Sequence, residues 1–452
     1  MESIETVIQR MRAQGSQPAV FWRNAWLSYH DLFQAIEDWR KRLRERDIGH
    51  GSVIGLYGDY SPGTIALVYA LMLERAVIVP FTRAVERELP GLLEIAGVER
   101  LFRFDDDDNW SDQEIPNASR PDLIQRFMEQ GTPGLVVFSS GSSGQPKGIL
   151  QDCERVMRKF VTPRDGWRTV LFLMIDHFGG FNTLLGTFAY GGGAVCVDQR
   201  LPENVCRTIE AAKATLLPTT PTFLNLVIAS GCAKSFDLSS LKLITYGTEM
   251  MPEETLKRLG DLFSEARVKQ TYGLSELGVL RSKTVDEKST WLRVGGAGFE
   301  TKVVDGQLWI RSEANMVGYL NAPNPFDADG WMNTGDRVEV NGDMIRFLGR
   351  ESDIINVGGQ KVFPAEVEAV LLQADGIADA TVYGVDNRLL GKVVEARVIL
   401  TTDEEEGAAV KRLRAYCLEH LAKFKVPARI RTADAAEIRS ERFKKIHRFE
   451  TE

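Results

Sequence analysis

The residues best suited to chemistry form a loop rich in serine and glycine that directly follows a short apolar run. The run Val136-Val137-Phe138 leads into Ser139-Ser140-Gly141-Ser142-Ser143-Gly144, and Gln145-Pro146-Lys147-Gly148 follows. Glycine tolerates positive φ values, so successive backbone N–H groups can turn toward one anion. Lys147 adds a positive charge, and the serines add hydroxyl donors. The pattern predicts a loop that binds phosphate groups.

This loop is not the P-loop of kinases and GTPases, in which Ser or Thr follows the lysine at the start of a helix. Here Pro146 precedes Lys147 and Gly148 follows it. A flexible Gly/Ser linker is the alternative interpretation. Linkers rarely follow a buried-strand pattern or end in Pro-Lys-Gly, so the phosphate loop is favoured.

A second group of candidate side chains lies at residues 270–276, where a predicted strand ends at a glycine turn. Tyr272, Ser275 and Glu276 supply an aromatic ring, a hydroxyl and a carboxylate. Parallel sheets bind ligands outside the carboxyl ends of their strands, and Mg²⁺ typically takes one or two carboxylates together with phosphate oxygens. Taken alone, the pattern Tyr-Gly-x-Ser-Glu favours a simple structural turn.

In combination, these motifs resemble those of the adenylate-forming enzymes, which include acyl-CoA synthetases, 4-coumarate–CoA ligases, luciferases and amino-acid adenylation domains. The loop at 139–148 resembles their phosphate loop, and residues 272–276 resemble their Y-G-x-T-E motif. Residues 333–336 are similar to their T-G-D motif, and residues 354–366 to their G-G-x-x-x-x-P-x-E segment. Chance rarely places four such motifs in the family's order.

The resemblance implies that the chain binds ATP and Mg²⁺. Glu276 would hold the metal, while Asp336 and Arg350 would contact the ribose hydroxyls. A carboxylate suits the ribose because it can accept a hydrogen bond from each of two neighbouring hydroxyls. The implied nucleotide-binding residues are Ser139, Ser140, Gly141, Ser142, Ser143, Gly144, Lys147, Gly247, Thr248, Glu249, Tyr272, Gly273, Ser275, Asp336 and Arg350.

The family's catalytic lysine has two candidates here, because the usual frame G-K-I-x-R lacks its glycine. Lys445 keeps the K-I-x-R spacing to Arg448, whereas Lys444 keeps the spacing from Ser440. Either lysine would bridge the substrate carboxylate and the α-phosphate, and Lys445 is favoured.

The resemblance also implies a second step, in which a small domain rotates and admits a thiol. The family's hinge position corresponds to Ser352, where Asp or Lys is more common. Gly358 and Gly359 correspond to the paired glycines that admit a pantetheine arm.

The acid substrate is expected to bind where a predicted strand at 169–175 runs into Asp176, His177 and a glycine-rich helix start. The resemblance implies that His177 lines an acyl pocket, whereas Asp176 keeps open the amine-binding role found in amino-acid adenylation domains. The surrounding sequence looks more like the acyl class, so we expect an apolar acid without a required amino group. The expected pocket residues are His177, Phe178, Gly180, Phe181 and Tyr246.

Composition excludes several other classes. The chain has 452 residues and a net charge of −8, which argues against general nucleic-acid binding. The longest apolar run, at 65–73, is too short to span a membrane. The N-terminus lacks a signal-peptide pattern, so a cytoplasmic location is expected. Five separated cysteines argue against a disulfide framework or a zinc site.

Alternating strand and helix patterns predict an α/β fold with parallel sheets covered by helices. Residues 1–349 are expected to form a large N-terminal domain of sheet and helix layers with a small β subdomain. Residues 350–352 would be the hinge, and residues 353–452 a small, mobile α+β domain. An Asn-Gly turn at 341–342 predicts a hairpin in the β subdomain. Other predicted elements are a buried helix at 65–73 and strands at 53–57, 76–80, 135–138, 169–175, 241–246 and 268–271.

The sequence therefore predicts an AMP-forming acid–thiol ligase similar to acyl-CoA synthetases. The thiol would belong to coenzyme A or to the phosphopantetheine of an acidic carrier protein. Residues 411–448 contain twelve Lys or Arg against four Asp or Glu. Such a basic region suits either anionic partner, and a solvated helix face is the alternative. An amino-acid adenylation enzyme, a non-catalytic nucleotide-binding protein and a luciferase-like oxidative enzyme are the alternative functions.

Overall fold

The computed structural model describes residues 1–139, 145–280, 282–284, 289–296, 298–402 and 404–438. Its helices are α1 Glu2–Arg12, α2 Tyr29–Arg44, α3 Pro62–Leu73, α4 Leu89–Ala96, α5 Asp122–Met128, α6 Cys153–Met157, α7 Phe178–Ala189, α8 Pro202–Ala212, α9 Pro221–Ser230, α10 Glu253–Leu262, α11 Pro364–Gln373, α12 Glu406–His420 and α13 Ala435–Ile438. Its strands are β1 Pro18–Trp22, β2 Ala25–Ser28, β3 Val53–Tyr57, β4 Val77–Phe81, β5 Arg100–Phe104, β6 Trp110–Glu114, β7 Gly134–Ser139, β8 Lys147–Asp152, β9 Arg168–Val170, β10 Gly193–Val195, β11 Leu216–Thr219, β12 Leu243–Tyr246, β13 Arg267–Gln270, β14 Tyr272–Leu274, β15 Gly278–Leu280, β16 Ser282–Thr284, β17 Leu292–Val294, β18 Phe299–Val304, β19 Gln307–Ser312, β20 Gly318–Tyr319, β21 Met332–Asn341, β22 Met344–Arg350, β23 Ile355–Val357, β24 Gln360–Val362, β25 Ile377–Asn387, β26 Gly391–Leu400 and β27 Arg429–Thr432.

Two seven-stranded sheets form the layers of the larger part of the chain. The first has the order β13-β12-β11-β9-β10-β1-β2, and its neighbours are parallel except in the β1–β2 hairpin. The second has the order β20-β8-β7-β4-β3-β5-β6, with a parallel centre and antiparallel strands at both ends. Every residue of β3 and β4 is buried, as expected for parallel strands covered on both faces. The predicted α/β class with parallel sheets is confirmed.

The predicted buried helix at 65–73 is α3. Ser61 caps its N-terminus by accepting a hydrogen bond of 3.1 Å from the Thr64 N–H, and Pro62 occupies the first turn, where no backbone donor is needed. Residues 64–72 are all buried, because this helix packs inside the largest hydrophobic core. Within the described ranges, neither α3 nor any other helix is long and apolar enough to cross a membrane.

An antiparallel unit follows the first sheet and corresponds to the predicted β subdomain. It contains the hairpin β14–β15 and a six-stranded sheet with the order β16-β17-β22-β21-β19-β18. In the β21–β22 hairpin, Asn341 pairs with Met344, so the two loop residues are Gly342 and Asp343, one position later than predicted. Gly342 has φ +62°, a value that glycine adopts at low cost.

The last part of the chain forms a separate α+β unit. Strands β24-β23-β26-β25 form one sheet, with β27 beside β26. Helices α11 and α12 pack with this sheet around their own hydrophobic core. Helix α11 begins at Pro364, and helix α12 begins at Glu406.

One predicted strand, at 169–175, is much shorter in the structure, because β9 ends at Val170. Beyond it, side chains satisfy the backbone carbonyls. Arg200 Nε donates to the carbonyl of Phe172 at 2.5 Å, and the Tyr60 hydroxyl donates to the carbonyl of Leu173 at 3.0 Å. The chain can therefore leave the sheet without unpaired carbonyls, and it turns into α7 beside an open space.

Candidate active site

A cavity of about 930 Å³ lies at the carboxyl ends of β11, β12 and β13, between that sheet, α7 and the antiparallel unit. Parallel sheets bind ligands at this position. One cavity thus brings together residues from motifs far apart in the sequence. The predicted site residues that line it are Ser139, Lys147, His177, Phe178, Gly180, Gly247, Thr248, Tyr272, Gly273, Ser275, Glu276 and Arg350.

The two ends of the predicted phosphate loop lie side by side. Ser139 and Lys147 are partners across β7 and β8, so the loop between them must reverse the chain. A strand, not a helix, follows Lys147, which agrees with the distinction from a P-loop. Five predicted site residues of the loop lie outside the described residues: Ser140, Gly141, Ser142, Ser143 and Gly144.

Glu276 and Lys147 both contact the same side chain, that of Tyr319. The Tyr319 hydroxyl donates to Oε1 of Glu276 at 2.7 Å, and Lys147 Nζ is 5.2 Å from the centre of the Tyr319 ring. The backbone here is held by β8, because Gln151 Nε2 donates to the Ser275 carbonyl at 2.5 Å. The structure thus places a fixed carboxylate and a lysine on one side of the cavity.

On another side, Tyr272, Asp336 and Arg350 form a connected group. The Tyr272 ring is stacked on Phe347, with ring centres 4.5 Å apart, and its hydroxyl donates to Oδ2 of Asp336 at 2.6 Å. Arg350 Nε lies 3.3 Å from Oδ1. Burial raises the pKa of Asp336, while Arg350 and Tyr272 oppose that rise. Arg350 lines the cavity, and Asp336 lies behind it.

The segment after β12 places Gly247 and Thr248 in the cavity wall. A Cβ on Gly247 would lie 2.8 Å from the Thr271 carbonyl oxygen, so the two backbones approach too closely for a side chain. Thr248 has φ +71°, a costly conformation for a β-branched residue, of the kind that clusters at functional sites. Glu249 turns away and accepts hydrogen bonds from Thr222 at the start of α9. Glu249 does not line the cavity.

Helix α7 forms the wall of the expected acid pocket, with His177 and Phe178 at its start. Gly180 also lines the cavity, but the space left by its missing side chain is filled by protein. A Cβ there would lie 2.0 Å from the carbonyl oxygen of Met174. The absent side chain therefore permits close backbone contact and does not add room for substrate.

Two expected pocket residues, Phe181 and Tyr246, lie in hydrophobic cores and are not among the residues that line the cavity. Burial raises the pKa of Tyr246, in keeping with that position. The expectation that their side chains form the pocket wall is wrong, because α7 and β12 turn these large side chains toward the cores.

Small residues on one face of α7 form the wall instead. Gly179, Thr183, Gly186 and Thr187 all line the cavity, and their spacing of three and four residues is that of one helix face. Sequence reasoning missed Thr183, Gly186 and Thr187, although this spacing was a usable signal. It also missed Tyr319, whose contact with Glu276 depends on pairing between the distant strands β20 and β8.

Three predicted C-terminal site residues, Ser352, Gly358 and Gly359, are not among the residues that line the cavity. Ser352 is exposed in a short 3-10 turn, and its hydroxyl donates to Asp353 at 2.9 Å. Gly358 and Gly359 form the two-residue turn between β23 and β24, with φ +56° and +87°. Lys444 and Lys445 lie outside the described residues.

The fold combines two mainly parallel sheets with an antiparallel unit. One wall of its cavity carries Lys147 and Glu276, and another is apolar. Together these features define an enzyme that activates small molecules with a nucleotide. The profile of the AMP-binding enzyme family matches residues 8–320, and the profile of the AMP-binding enzyme C-terminal domain matches residues 366–441. The chain therefore belongs to the AMP-binding enzyme family.

Known relatives agree with this assignment. The chain is 30% identical over 357 residues to the 3-[(3aS,4S,7aS)-7a-methyl-1,5-dioxo-octahydro-1H-inden-4-yl]propanoyl:CoA ligase of Mycobacterium tuberculosis, across 73% of this chain and 69% of the relative. It is 24% identical to the 2-succinylbenzoate–CoA ligase of Bacillus pumilus, across 96% and 95% of the two chains. The crystal structure of the anthranilate CoA ligase AuaEII with anthranoyl-AMP has a TM-score of 0.79 at 18% identity, covering 95% of this chain and 93% of that one.

These comparisons confirm the predicted adenylate-forming family, the fold and the enzyme class, an AMP-forming acid–thiol ligase. Enzymes of this family use ATP.

Proposed function

We propose that this chain converts an apolar carboxylic acid to an acyl-AMP, and that the thiol of coenzyme A then attacks the acyl carbon and displaces AMP. In the first step a carboxylate oxygen attacks the α-phosphorus of ATP and pyrophosphate leaves. The observation that best supports this proposal is one continuous cavity, which joins Lys147 and Glu276 to the apolar wall at Phe178. Within it the carboxylate and the α-phosphate can be held together, and such positioning is a major source of rate.

Glu276 is the residue that would hold Mg²⁺. Its carboxylate lines the cavity and is oriented by Tyr319, and a hard cation prefers such oxygen ligands. The described residues contain no cluster of three His, Cys, Asp or Glu side chains suited to a metal. The fit therefore relies on phosphate oxygens to complete the shell, as is usual for Mg²⁺. When bound, the metal supplies positive charge beside the phosphates.

The remaining residues bind and orient the substrates. Lys147 faces the phosphates and Arg350 faces the ribose hydroxyls, whereas Asp336, behind Arg350, would meet those hydroxyls only after Arg350 shifts. Gly247 and Thr248 lie against the adenine side. Lys445, or Lys444 in the alternative frame, neutralises charge as the carboxylate meets the α-phosphate, and fixed charges of this kind act most strongly where water is excluded.

For the second step we propose a boundary between a domain of residues 1–349 and one of residues 353–452, with the hinge at 350–352. The Ser352 side chain bonds only its neighbour Asp353 in the described structure, so little holds it during rotation. The turn at Gly358 and Gly359 would then face the thiol. The relatives named as CoA ligases favour coenzyme A as the acceptor, and a carrier protein is the alternative.

The acid is proposed to lack an α-amino group. Asp176, the candidate amine ligand, is only 3% exposed, accepts a hydrogen bond of 2.8 Å from Thr82 and does not line the cavity. His177, next to it, does line the cavity. An amine in the cavity would therefore not meet the Asp176 carboxylate without a change in the protein.

The test is ATP–pyrophosphate exchange with a panel of carboxylic acids, with and without Mg²⁺, followed by thioester formation from the best acid. We expect exchange that depends on both the acid and Mg²⁺, and a thioester with coenzyme A. Exchange with none of the acids would contradict the function. A preference for an α-amino acid that is lost in Asp176→Ala would establish the amino-acid adenylation alternative, and a thioester formed only with carrier-bound phosphopantetheine would identify the other acceptor.

A further inference from the structure

Two of the five cysteines meet in the folded protein, although they are 26 positions apart in the sequence. Cys206 lies on α8, and Cys232 begins a 3-10 turn, Cys232–Ser235, that follows α9. Their sulfur atoms are 3.7 Å apart. Because a disulfide bond is about 2.05 Å long, the two sulfurs need to approach each other by only about 1.7 Å. The fold therefore presents a pair of thiols that the spacing of the cysteines does not reveal.

The two thiols differ in their access to solvent. Cys206 is 2% exposed and lies in the hydrophobic core that α8 and α9 form with the first sheet. Cys232 is partly exposed and packs against the edge of that core. Burial, and then the neighbouring Cys232 thiol, raise the pKa of Cys206, so Cys206 stays protonated near neutral pH. Since oxidation of a thiol requires access to it, an oxidant in solution meets Cys232 first.

The turn that carries Cys232 can make a small shift while it stays beside α8. Gly231, which precedes it, has φ +66°, and a Cβ there would meet no heavy atom within 4 Å, so the backbone has room. Ala233, one residue further on, is buried and packs in the same core as Cys206. The core thus holds the turn against α8 without fixing the position of the Cys232 sulfur.

We propose that Cys206 and Cys232 are a redox-active pair, which hydrogen peroxide converts to a reversible disulfide between α8 and the turn after α9. The peroxide first oxidises the Cys232 sulfur to a sulfenic acid, and its own O–O bond breaks to release water. The Cys206 sulfur then attacks the Cys232 sulfur, and the sulfenic oxygen leaves as a second water with the Cys206 proton. Two thiols and one peroxide thus give one disulfide and two waters. A dithiol reductant reverses the reaction by thiol–disulfide exchange.

The loop that this bridge closes contains β11 and α9, which carry part of the cavity wall. The lining residues within it are Leu216, Pro218, Thr219 and Thr220. Helix α9 has ten residues, so at 1.5 Å per residue the bridge lies roughly 15 Å along the helix from its cavity end. The bridge therefore leaves the cavity open, and it stabilises this part of the fold by restricting the unfolded chain.

The experiment counts free thiols before and after peroxide. The protein is treated with hydrogen peroxide, unfolded in urea and alkylated with N-ethylmaleimide, and its intact mass is measured. We expect the reduced protein to bind five equivalents, one for each cysteine, and the treated protein to bind two fewer, with dithiothreitol restoring the full number. Peptide mapping should join the segments that contain Cys206 and Cys232. An unchanged thiol count, or a bridge that involves another cysteine, would overturn the inference.

Variants distinguish the two thiols by their roles. In Cys206→Ala the second thiol is missing, so we expect Cys232 to persist as a sulfenic acid that dimedone labels. Cys232→Ser should give no label at Cys206, because that thiol is buried. Cys417→Ser is the matched control, since Cys417 is buried in the C-terminal unit, and it should form the bridge as the parent protein does. Labelling of Cys206 in Cys232→Ser, or no label at Cys232 in Cys206→Ala, would contradict these roles.

Thermal melting tests the effect of the bridge without any acid substrate, so its outcome is independent of the proposed function. We expect peroxide to raise the melting temperature of the parent protein by about 5 °C and dithiothreitol to reverse the rise. Cys232→Ser should show no such rise. A bridge that forms but lowers the melting temperature would contradict the stabilising role.

Discussion

The Tyr319 hydroxyl donates a hydrogen bond of 2.7 Å to Oε1 of Glu276, and its ring lies 5.2 Å from Lys147 Nζ. Burial, and then the charge of Glu276, raise the pKa of Tyr319, so the phenol remains protonated and keeps donating near neutral pH. One side chain from β20 therefore connects the proposed metal carboxylate with the lysine of the phosphate loop. We infer that Tyr319 is a positioning residue.

Replacing Tyr319 with Phe should remove the hydrogen bond that orients Glu276, while the charges of Glu276 and Lys147 stay in place. A hydrogen bond to a charged group contributes about 1.5–3 kcal/mol, so we expect exchange activity to fall roughly tenfold and the Mg²⁺ concentration for half-maximal activity to rise. Tyr416→Phe, on α12 outside the cavity lining, is the control. A tenfold loss with unchanged Mg²⁺ dependence would show that Tyr319 does not act through Glu276.

The sequence predicts that both Glu276 and Glu249 lie at the nucleotide site, but we expect their substitutions to have different effects. Glu276 lines the cavity, whereas Glu249 accepts hydrogen bonds from the N–H and hydroxyl of Thr222. We expect Glu276→Gln to lower exchange by roughly 10²–10³-fold with an unchanged melting temperature. Glu249→Gln should lower the free energy of unfolding by about 1 kcal/mol and keep most of the exchange activity. Loss of exchange in folded Glu249→Gln would restore its predicted role at the nucleotide.

The buried carboxylate of Asp336 should produce a measurable pH dependence. Because burial raises its pKa above the ordinary 3.8, the folded protein binds this proton more tightly than the unfolded chain does. Its contribution to stability is therefore greatest below 3.8 and is lost as the pH rises through the raised pKa. Urea unfolding across pH 4–7 should show this slope in the parent protein and its loss in Asp336→Asn. A slope shared by both proteins would assign the effect to another group.

Much of the fold follows from the sequence where one local pattern dominates. The uniformly apolar β3 and α3 were located within a few residues, because both are buried on all sides and need no knowledge of their neighbours. The residues around Lys147 were found from residue type and spacing, whereas those around Tyr272 were found from their resemblance to the family's motif. Their meeting in one cavity depends on how the two sheets pack, because Lys147 begins β8 of the second sheet and Tyr272 follows β13 of the first.

Other features depend on contacts that no local pattern contains. Phe181 was expected in the pocket wall because it is aromatic, yet the wall of α7 is made of small residues and Phe181 faces the core. The strand at 169–175 was predicted too long because its carbonyls bond the distant side chains of Arg200 and Tyr60. Long-range side-chain partners of this kind become visible only when the chain is folded.

The adjacent glycines at the start of α7 should differ sharply in their tolerance of a methyl group. A Cβ at Gly180 would lie 2.0 Å from the Met174 carbonyl oxygen, whereas at Gly179 its closest neighbour is a Leu173 side-chain carbon at 3.6 Å. We expect Gly180→Ala to lower the free energy of unfolding by about 3 kcal/mol or more. Gly179→Ala should be neutral or slightly stabilising, because alanine favours helix. Equal stability of the two variants in urea unfolding would contradict the close approach at Gly180.

The turn at Gly358 and Gly359 permits a test of the thiol step that spares the fold. Both residues have positive φ, and a Cβ at Gly359 would have no heavy atom within 4 Å. Asn tolerates positive φ far better than other residues with side chains. Gly359→Asn therefore adds bulk to the proposed thiol path with little strain, whereas Gly359→Leu adds both bulk and strain.

The two half-reactions should separate between the C-terminal lysine and this turn. If the small domain rotates at Ser352, Lys445 serves adenylation only, and Lys445→Ala should slow acyl-AMP formation by roughly 10²–10³-fold while supplied acyl-AMP is still converted to thioester. Gly359→Asn should do the reverse, because its side chain obstructs only the thiol. Pyrophosphate exchange and thioester formation from synthetic acyl-AMP measure the steps separately, with Lys444→Ala as the matched control. An adenylation defect in Lys444→Ala alone would establish the alternative frame, and equal loss of both steps in a folded variant would contradict domain rotation.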